Sequence, residues 1–326
     1  MRKSERLHGI TIAALLTTGL ICWPAAAAAA GPSGPDTKKV SRLERSAALQ
    51  TESAEAKPSP LVLRLYGGFS RVEAGDINEG LDGYFEIFEL YRAWGFGTTT
   101  GGYTPLRDGY NAGADLVLQI SRGIGIGIGA GYLHVTESSL LTFSLGSESY
   151  KVSGAPTLTA VPIRLGLFFT VPLGKWLNLT ADAGADAYAA LKLDAPSRLD
   201  YPDGEAMEET LSASGGSPFD YLGFHGSLGF EFLVSRNTGI FVEALGRYAR
   251  LKNFERATQS SKTSGSSEVT EGGLYLATYT ATDGQHWSAF TVEETPPVSG
   301  TPSIVYSEPK VDLSGFSLQA GLRIRL

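Results

Sequence analysis

The sequence predicts an all-β protein, a transmembrane up-and-down antiparallel β-barrel of eight strands, with ten strands as the alternative. First, apolar and polar residues alternate from Leu61 onward with the period of two that places successive side chains on opposite faces of a strand. Second, the connections between alternating segments are in turn short and long, which is typical of outer-membrane barrels. Third, the polar face carries many charges, and the core of a soluble β-sandwich would not tolerate them.

The N-terminal residues 1–30 are expected to be a signal peptide of a Gram-negative bacterium, cleaved near Ala30. Basic residues at positions 2, 3 and 6 precede the apolar run Ile10–Ile21, and small residues follow it. A single membrane anchor helix and a lipoprotein acylated at Cys22 are the alternatives. Residues 31–60 contain few large apolar side chains, so we expect a flexible periplasmic segment.

The predicted barrel occupies residues 61–326 and contains eight alternating segments, each near the roughly 9–11 residues that a tilted strand needs to cross a bilayer. The segments begin near Leu61, Asn111, Ile124, Val161, Leu177, Leu222, Ile240 and Leu318. The long connections between them are expected at residues 73–108, 137–157, 191–220 and 255–312.

Two of the long connections carry signals of local structure. In the first, aromatic residues over Leu81–Trp94 approximate helical spacing, which predicts a short helix that packs on the barrel rim or forms a lid. The preceding residues 76–80 look faintly like a calcium loop, but a turn entering that helix is the preferred interpretation. In the last connection, Gly272–Ala281 and His286–Glu293 flank an Asp-Gly turn. We interpret them as a hairpin above the membrane, and two further barrel strands are the alternative.

The predicted inner face carries charges of both signs in near balance. An eight-stranded barrel has an interior just wide enough for side chains, and unpaired charges there would be costly. We therefore expect a lumen closed by ion pairs. The residues of this network are Arg64, Asp115, Arg164, Asp182, Asp186, Glu231, Glu243, Arg247, Arg323 and Arg325.

The final residues, Gln319–Leu326, resemble the C-terminal assembly signal of outer-membrane barrels. Gly321, Ile324 and Leu326 occupy its glycine and apolar positions, although phenylalanine is usual where Leu326 stands. Together with the strand count, the chain resembles the small eight-stranded outer-membrane proteins of the OmpA and OmpW type over Leu61–Leu326. The resemblance implies contact with outer-membrane lipid and insertion by the barrel assembly machinery.

The expected function is non-enzymatic, a structural or surface-interaction role of a monomeric barrel through its long loops. One alternative is a porin-like, narrow conduit for small hydrophobic molecules. The other is a lipid-modifying enzyme, because His225 and Ser227 with a nearby Glu231 or Glu243 resemble the histidine, serine and acid of outer-membrane lipid deacylases. The net charge of −7 without a basic stripe argues against nucleic acid as a partner. No His or Cys cluster has metal-ligand spacing, so we expect no metal and no cofactor.

Overall fold

The computed structural model describes residues 60–215, 221–252, 254–281, 284–298 and 303–326. The predicted signal peptide and all but residue 60 of the predicted flexible segment over residues 31–60 lie outside these ranges. The described residues form one helix, α1 (Asp76–Ala93), and seventeen strands. In chain order the strands are β1 (Leu61–Gly75), β2 (Thr98–Gly102), β3 (Asp108–Gln119), β4 (Ile124–Thr136), β5 (Ser139–Leu145), β6 (Glu148–Gly154), β7 (Thr157–Pro172), β8 (Leu177–Asp200), β9 (Ala206–Gly215), β10 (Leu222–Leu233), β11 (Thr238–Tyr248), β12 (Arg250–Leu251), β13 (Arg256–Lys262), β14 (Ser267–Thr280), β15 (His286–Glu293), β16 (Ile304–Ser307) and β17 (Val311–Arg325).

Eight of the strands close into an antiparallel barrel. Around the barrel the order is β1, β3, β4, β7, β8, β10, β11 and β17, and β17 pairs back onto β1. The predicted eight-stranded, all-β fold is confirmed. The hairpin of β14 and β15 pairs with β13 and β16 and takes no part in barrel closure, so the ten-stranded alternative is wrong.

The period-two pattern separates an apolar outer face from a polar inner face. On β10, Phe224, Leu228 and Phe230 point outward and are exposed, whereas His225 and Ser227 point inward and are buried. The outward apolar positions of β10 extend over ten residue steps, about 33 Å at the usual rise per residue. At the strand tilt typical of small barrels this length corresponds to a band about 25 Å high.

The strands extend well beyond this band, and further strands occupy most of the long connections. Strand β8 alone runs for 24 residues to Asp200. Its outer part pairs with β6 and β9, and β9 pairs with β13. The part of the structure beyond the band is called the rim, and it consists of α1, β2, β5, β6, the outer part of β8, β9 and β12–β16. Leu191, Leu193 and Ala195 alternate inward there, so the same period two that builds the barrel builds the rim.

A β-bulge changes which residues of β8 face inward. Val161 is paired with Ala190 and Pro162 with Tyr188, so Ala189 is the extra residue. Proline has no N–H to donate to a ladder, and bulges are one of the few places in a sheet where it is tolerated. The extra residue moves the inward positions from even to odd numbers, and buried Tyr188 is followed by buried Leu191.

The inward side chains above the charged part of the lumen form a continuous apolar core. Leu133, Leu158 and Leu193 from barrel strands pack with Ile77 and Leu81 of α1 in this core. The helix begins at Asp76, five residues before the predicted aromatic stretch.

Helix α1 approaches strand β15 closely. A Cβ at Gly83 would lie 1.8 Å from the carbonyl oxygen of Ser288, and a Cβ at Gly80 would lie 2.5 Å from the ring of Phe290. Glycine at both positions therefore lets the helix lie against the strand backbone. No helix in the described part of the chain is both long and apolar enough to cross a membrane.

Candidate functional site

Arg64 lies at the centre of the charged part of the lumen. Its guanidinium donates to Glu243 Oε2 at 2.5 Å, and its Nη1 lies 3.6 Å from a carboxylate oxygen of both Asp115 and Asp182. The same guanidinium lies 4.4 Å from the ring centroid of Phe241. Arg64 is 6% exposed, so three carboxylates and an aromatic face replace its hydration shell.

A second buried arginine, Arg164, shares acids with the first. Its Nη1 donates to the hydroxyl of Tyr66 at 2.9 Å, and its guanidinium lies 3.8 Å from Asp115, Asp182 and Asp186. These charged residues and His225, which lies 2.8 Å from Asp186, form what we call the charge layer: Arg64, Asp115, Arg164, Asp182, Asp186, His225 and Glu243.

A third arginine closes the lumen towards the tight turns. Arg323 donates to Glu231 at 2.7 Å, and the side-chain amide of Asn178 donates to the other oxygen of Glu231 at 2.9 Å. Gln319 links the levels, because its amide donates to Glu243 at 2.5 Å and its oxygen accepts from Asn111 at 2.7 Å.

Eight of the ten predicted lumen residues therefore meet as ion pairs, and the other two have different surroundings. Arg247 donates to the carbonyl oxygen of Leu313 at 2.8 Å and to the hydroxyl of Ser70 at 3.3 Å. The Nε of Arg325 has no hydrogen-bond partner among the described residues. Inward alternation was enough to place both arginines, but it could not identify their partners.

The space left between the lumen side chains is small. Two cavities lie in the described part of the lumen, one beside Arg64 and Asp182 and one beside Tyr66 and Arg164. Each has a volume of about 30 Å³. Such cavities have room for about one or two waters. Side chains therefore fill the axis of the barrel at the charge layer.

The geometry of His225 and Ser227 differs from that of a nucleophilic serine and its base. The hydroxyl of Ser227 donates to Asp182. His225 Nδ1 lies 2.8 Å from Asp186, and its Nε2 lies 3.5 Å from Asp182. Both ring nitrogens therefore face carboxylates, whereas a general base must accept the proton of the serine hydroxyl.

The rim contains a second polar cluster around the start of α1. Asn78 is its centre: the Oδ1 atom accepts from the backbone N–H of Leu106 at 2.7 Å and from the hydroxyl of Tyr103 at 2.8 Å. Further along α1, Tyr84 donates to buried Glu209 at 2.8 Å. Burial and the neighbouring Glu209 carboxylate raise the pKa of the Tyr84 phenol well above its usual range. These bonds tie α1 to both sides of the rim.

The rim also holds an open cavity lined by aromatic side chains, which we call the aromatic pocket. Its volume is about 400 Å³. The residues that line it are Phe88, Tyr91, Phe96, Phe143, Leu145 and Tyr150. The aromatic pattern of α1 predicts the first two, but the others come from the α1–β2 link and the β5–β6 hairpin, where no local structure is predicted from the sequence.

Comparison of the sequence with protein-family models and with curated proteins finds no match. The chain is therefore described by its closed eight-stranded barrel, by its charge layer and by its rim.

Proposed function

We propose that this chain is an integral outer-membrane protein, an eight-stranded barrel of the OmpA and OmpW type, which holds its rim outside the cell to meet partners. The observation that carries the proposal is the exposed apolar band. Large apolar residues that are at least 41% exposed lie on the outer face of seven barrel strands: Leu65, Leu118, Ile128, Leu165, Leu228, Val242 and Leu318. The eighth strand, β8, exposes Ala183 and Ala185. A soluble monomer rarely exposes a continuous apolar surface of this size, whereas lipid covers one at no cost.

Aromatic residues at both ends of the band support the proposal. At the end with tight turns, the ring of Trp176 stacks on Phe232 with centroids 6.0 Å apart. Towards the rim, Tyr110 and Tyr132 lie 6.2 Å apart and are exposed. Aromatic girdles at these two levels are favoured where hydrocarbon meets the polar headgroups.

The closed lumen supports a role for the rim. The charge layer fills one level of the barrel interior, and the apolar core with α1 fills the levels above it. Axial transport of a hydrophobic molecule would require both layers to move. The surface that remains free to act is the rim, which long connections place on the outer side in barrels of this type.

Membrane insertion is tested by tryptophan depth in vesicles that contain brominated lipid. The chain is prepared from Gly31 with Trp176 and Trp287 replaced by phenylalanine. In one variant Trp94 remains as the rim reporter, and in another it is replaced and Phe230→Trp reports from the middle of the band. We expect strong quenching at residue 230 and little at residue 94. Equal quenching of the two reporters, or none at residue 230, would overturn the proposal.

Orientation is tested by cysteine labelling in intact Gram-negative cells. Ser264 is an exposed residue of the rim, and Asn237 is exposed in a tight turn at the opposite end. A maleimide that does not cross the membrane should label Ser264→Cys in intact cells, but Asn237→Cys only after permeabilisation. The reverse pattern would place the rim in the periplasm.

A further inference from the structure

We infer that the aromatic pocket binds an apolar organic cation, a flat hydrocarbon body that carries a quaternary or protonated amine. The inference rests on the proposed function in one respect, because it assigns a ligand class to the rim that the proposal places outside the cell. The pocket itself needs only the folded rim.

Three segments build the pocket. Phe88 and Tyr91 come from the last turns of α1, Phe96 from the link to β2, and Phe143 and Tyr150 from the β5–β6 hairpin. Its volume of about 400 Å³ is within the range of sites for small organic molecules. A concave site of this size fits one compact ligand better than it fits the flat surface of a protein partner.

The rings are tilted towards one another around buried Phe143. The centroid of Phe143 lies 5.5 Å from that of Phe88, 6.2 Å from that of Tyr91 and 6.1 Å from that of Tyr150, with interplanar angles of 50°, 45° and 47°. Tilted rings present several π faces to the same space. A π face carries partial negative charge, so it attracts a cation in addition to burying a hydrocarbon surface.

A carboxylate beside the pocket also favours a cation. The hydroxyl of Tyr150 donates to the carboxylate of Glu148 at 3.3 Å, and Glu89 stands on α1 between two lining residues. Arg92 already pairs with Glu89 at 2.7 Å. Lys151 follows Tyr150 on the strand and lines a separate groove instead of this pocket.

This charge distribution selects among apolar ligands. A fatty acid or an aromatic sulfonate would bring a negative charge towards Glu148, and no cation stands among the described residues that line the pocket. An organic cation gains from both the carboxylate and the ring faces. Cation–π contacts become stronger as the cation loses its hydration shell between the rings.

The test is calorimetric titration of the folded chain in lipid nanodiscs with two probes that share a ring system, (1-naphthylmethyl)trimethylammonium and 1-naphthalenesulfonate. We expect the cation to bind at least tenfold more tightly than the sulfonate. Phe96→Ala and Tyr91→Ala should each weaken cation binding at least threefold; both side chains are exposed, so neither supports the core. Glu148→Gln should reduce the preference for the cation at least threefold.

The matched control lies at another aromatic pair of the rim, where Trp287 stacks on Tyr279 with centroids 4.9 Å apart. Trp287→Leu should leave cation binding unchanged. Equal affinity for the two probes, tighter binding of the sulfonate, or equal losses in the control and pocket variants would overturn the inference. A chain that inserts into vesicles but binds no cation refutes this inference alone. A folded chain that binds the cation but leaves residue 230 unquenched refutes the proposed membrane location alone.

Discussion

Replacing Arg64 by methionine removes the cation that three buried carboxylates share. Among the described residues, Glu243 then keeps only the amide of Gln319 as a side-chain donor, and Asp115 and Asp182 lose a guanidinium at 3.6 Å. Methionine fills most of the space of the arginine stem but provides no donor. The change therefore falls on these buried carboxylates and on the ring of Phe241, which loses its cation–π partner.

The expected loss of unfolding free energy is about 3–5 kcal/mol, the usual cost of removing one partner from a buried ion pair. Two features keep the loss within this range. Arg164 still faces Asp115 and Asp182 at 3.8 Å, and Gln319 still bonds to Glu243.

A matched control lies on the same two strands. Arg64 stands opposite Asp115 in the β1–β3 register, and Arg71 stands opposite Asp108. The second pair is separated by 3.8 Å, and its side chains are 43% and 46% exposed. Arg71→Met should therefore cost less than about 1 kcal/mol.

The assay is equilibrium unfolding by urea in lipid vesicles, followed by tryptophan fluorescence and by the mobility shift of the folded barrel on gels. A loss for Arg64→Met below about 1 kcal/mol, or one equal to that of Arg71→Met, would refute the argument that buried charge pairing holds the lumen together.

Three further outcomes are expected. Gly83→Ala should weaken docking of α1, because its Cβ would lie 1.8 Å from the Ser288 carbonyl oxygen; overpacking of this kind costs about 1–3 kcal/mol, and faster amide exchange in α1 with an intact barrel is the readout. Burial and neighbouring carboxylates raise the pKa of both Asp82 and Glu86. The contribution of these two residues to the free energy of unfolding is therefore fully present below about pH 4, and it is lost as the pH rises through the raised pKa values. The melting temperature of the rim should therefore rise on acidification from pH 7 to pH 4. The double variant Asp82→Asn with Glu86→Gln should make that temperature less dependent on pH. Ser227→Ala should leave lipid A acylation unchanged, because the hydroxyl bonds to a carboxylate instead of an imidazole; altered acylation would restore the enzyme hypothesis.

The sequence predicted the barrel because apolar residues alternate with a period of two even where the inward positions are occupied by glycine. The alternation over Ile124–Gly131 shows this most directly: its glycines turn inward and leave room for larger neighbours. At Gly127 a Cβ would lie 2.6 Å from the ring of Phe168, and at Gly129 it would lie 2.0 Å from Asp115. The same alternation assigned the charged residues to the lumen.

The rim could not be predicted in the same way. The bulge at Ala189 shifts the inward positions of β8 by one, so the alternation breaks just where the strand continues towards Asp200. Partner choice in the lumen depends on which side chains reach across the barrel, and one-strand patterns contain no such information. The aromatic pocket unites residues from three segments, so only the folded rim reveals it.

The most direct test of the closed barrel is ion flux through it. Vesicles loaded with potassium are reconstituted with the chain, and the folded, inserted fraction is quantified from the gel mobility shift. With the charge layer intact, potassium efflux should not exceed that of protein-free vesicles, and planar bilayers should show no steady unit conductance. Steady conductance steps in proportion to the inserted fraction would contradict a lumen closed by Arg64, Arg164 and their carboxylates, and would move the function from the rim to the axis of the barrel.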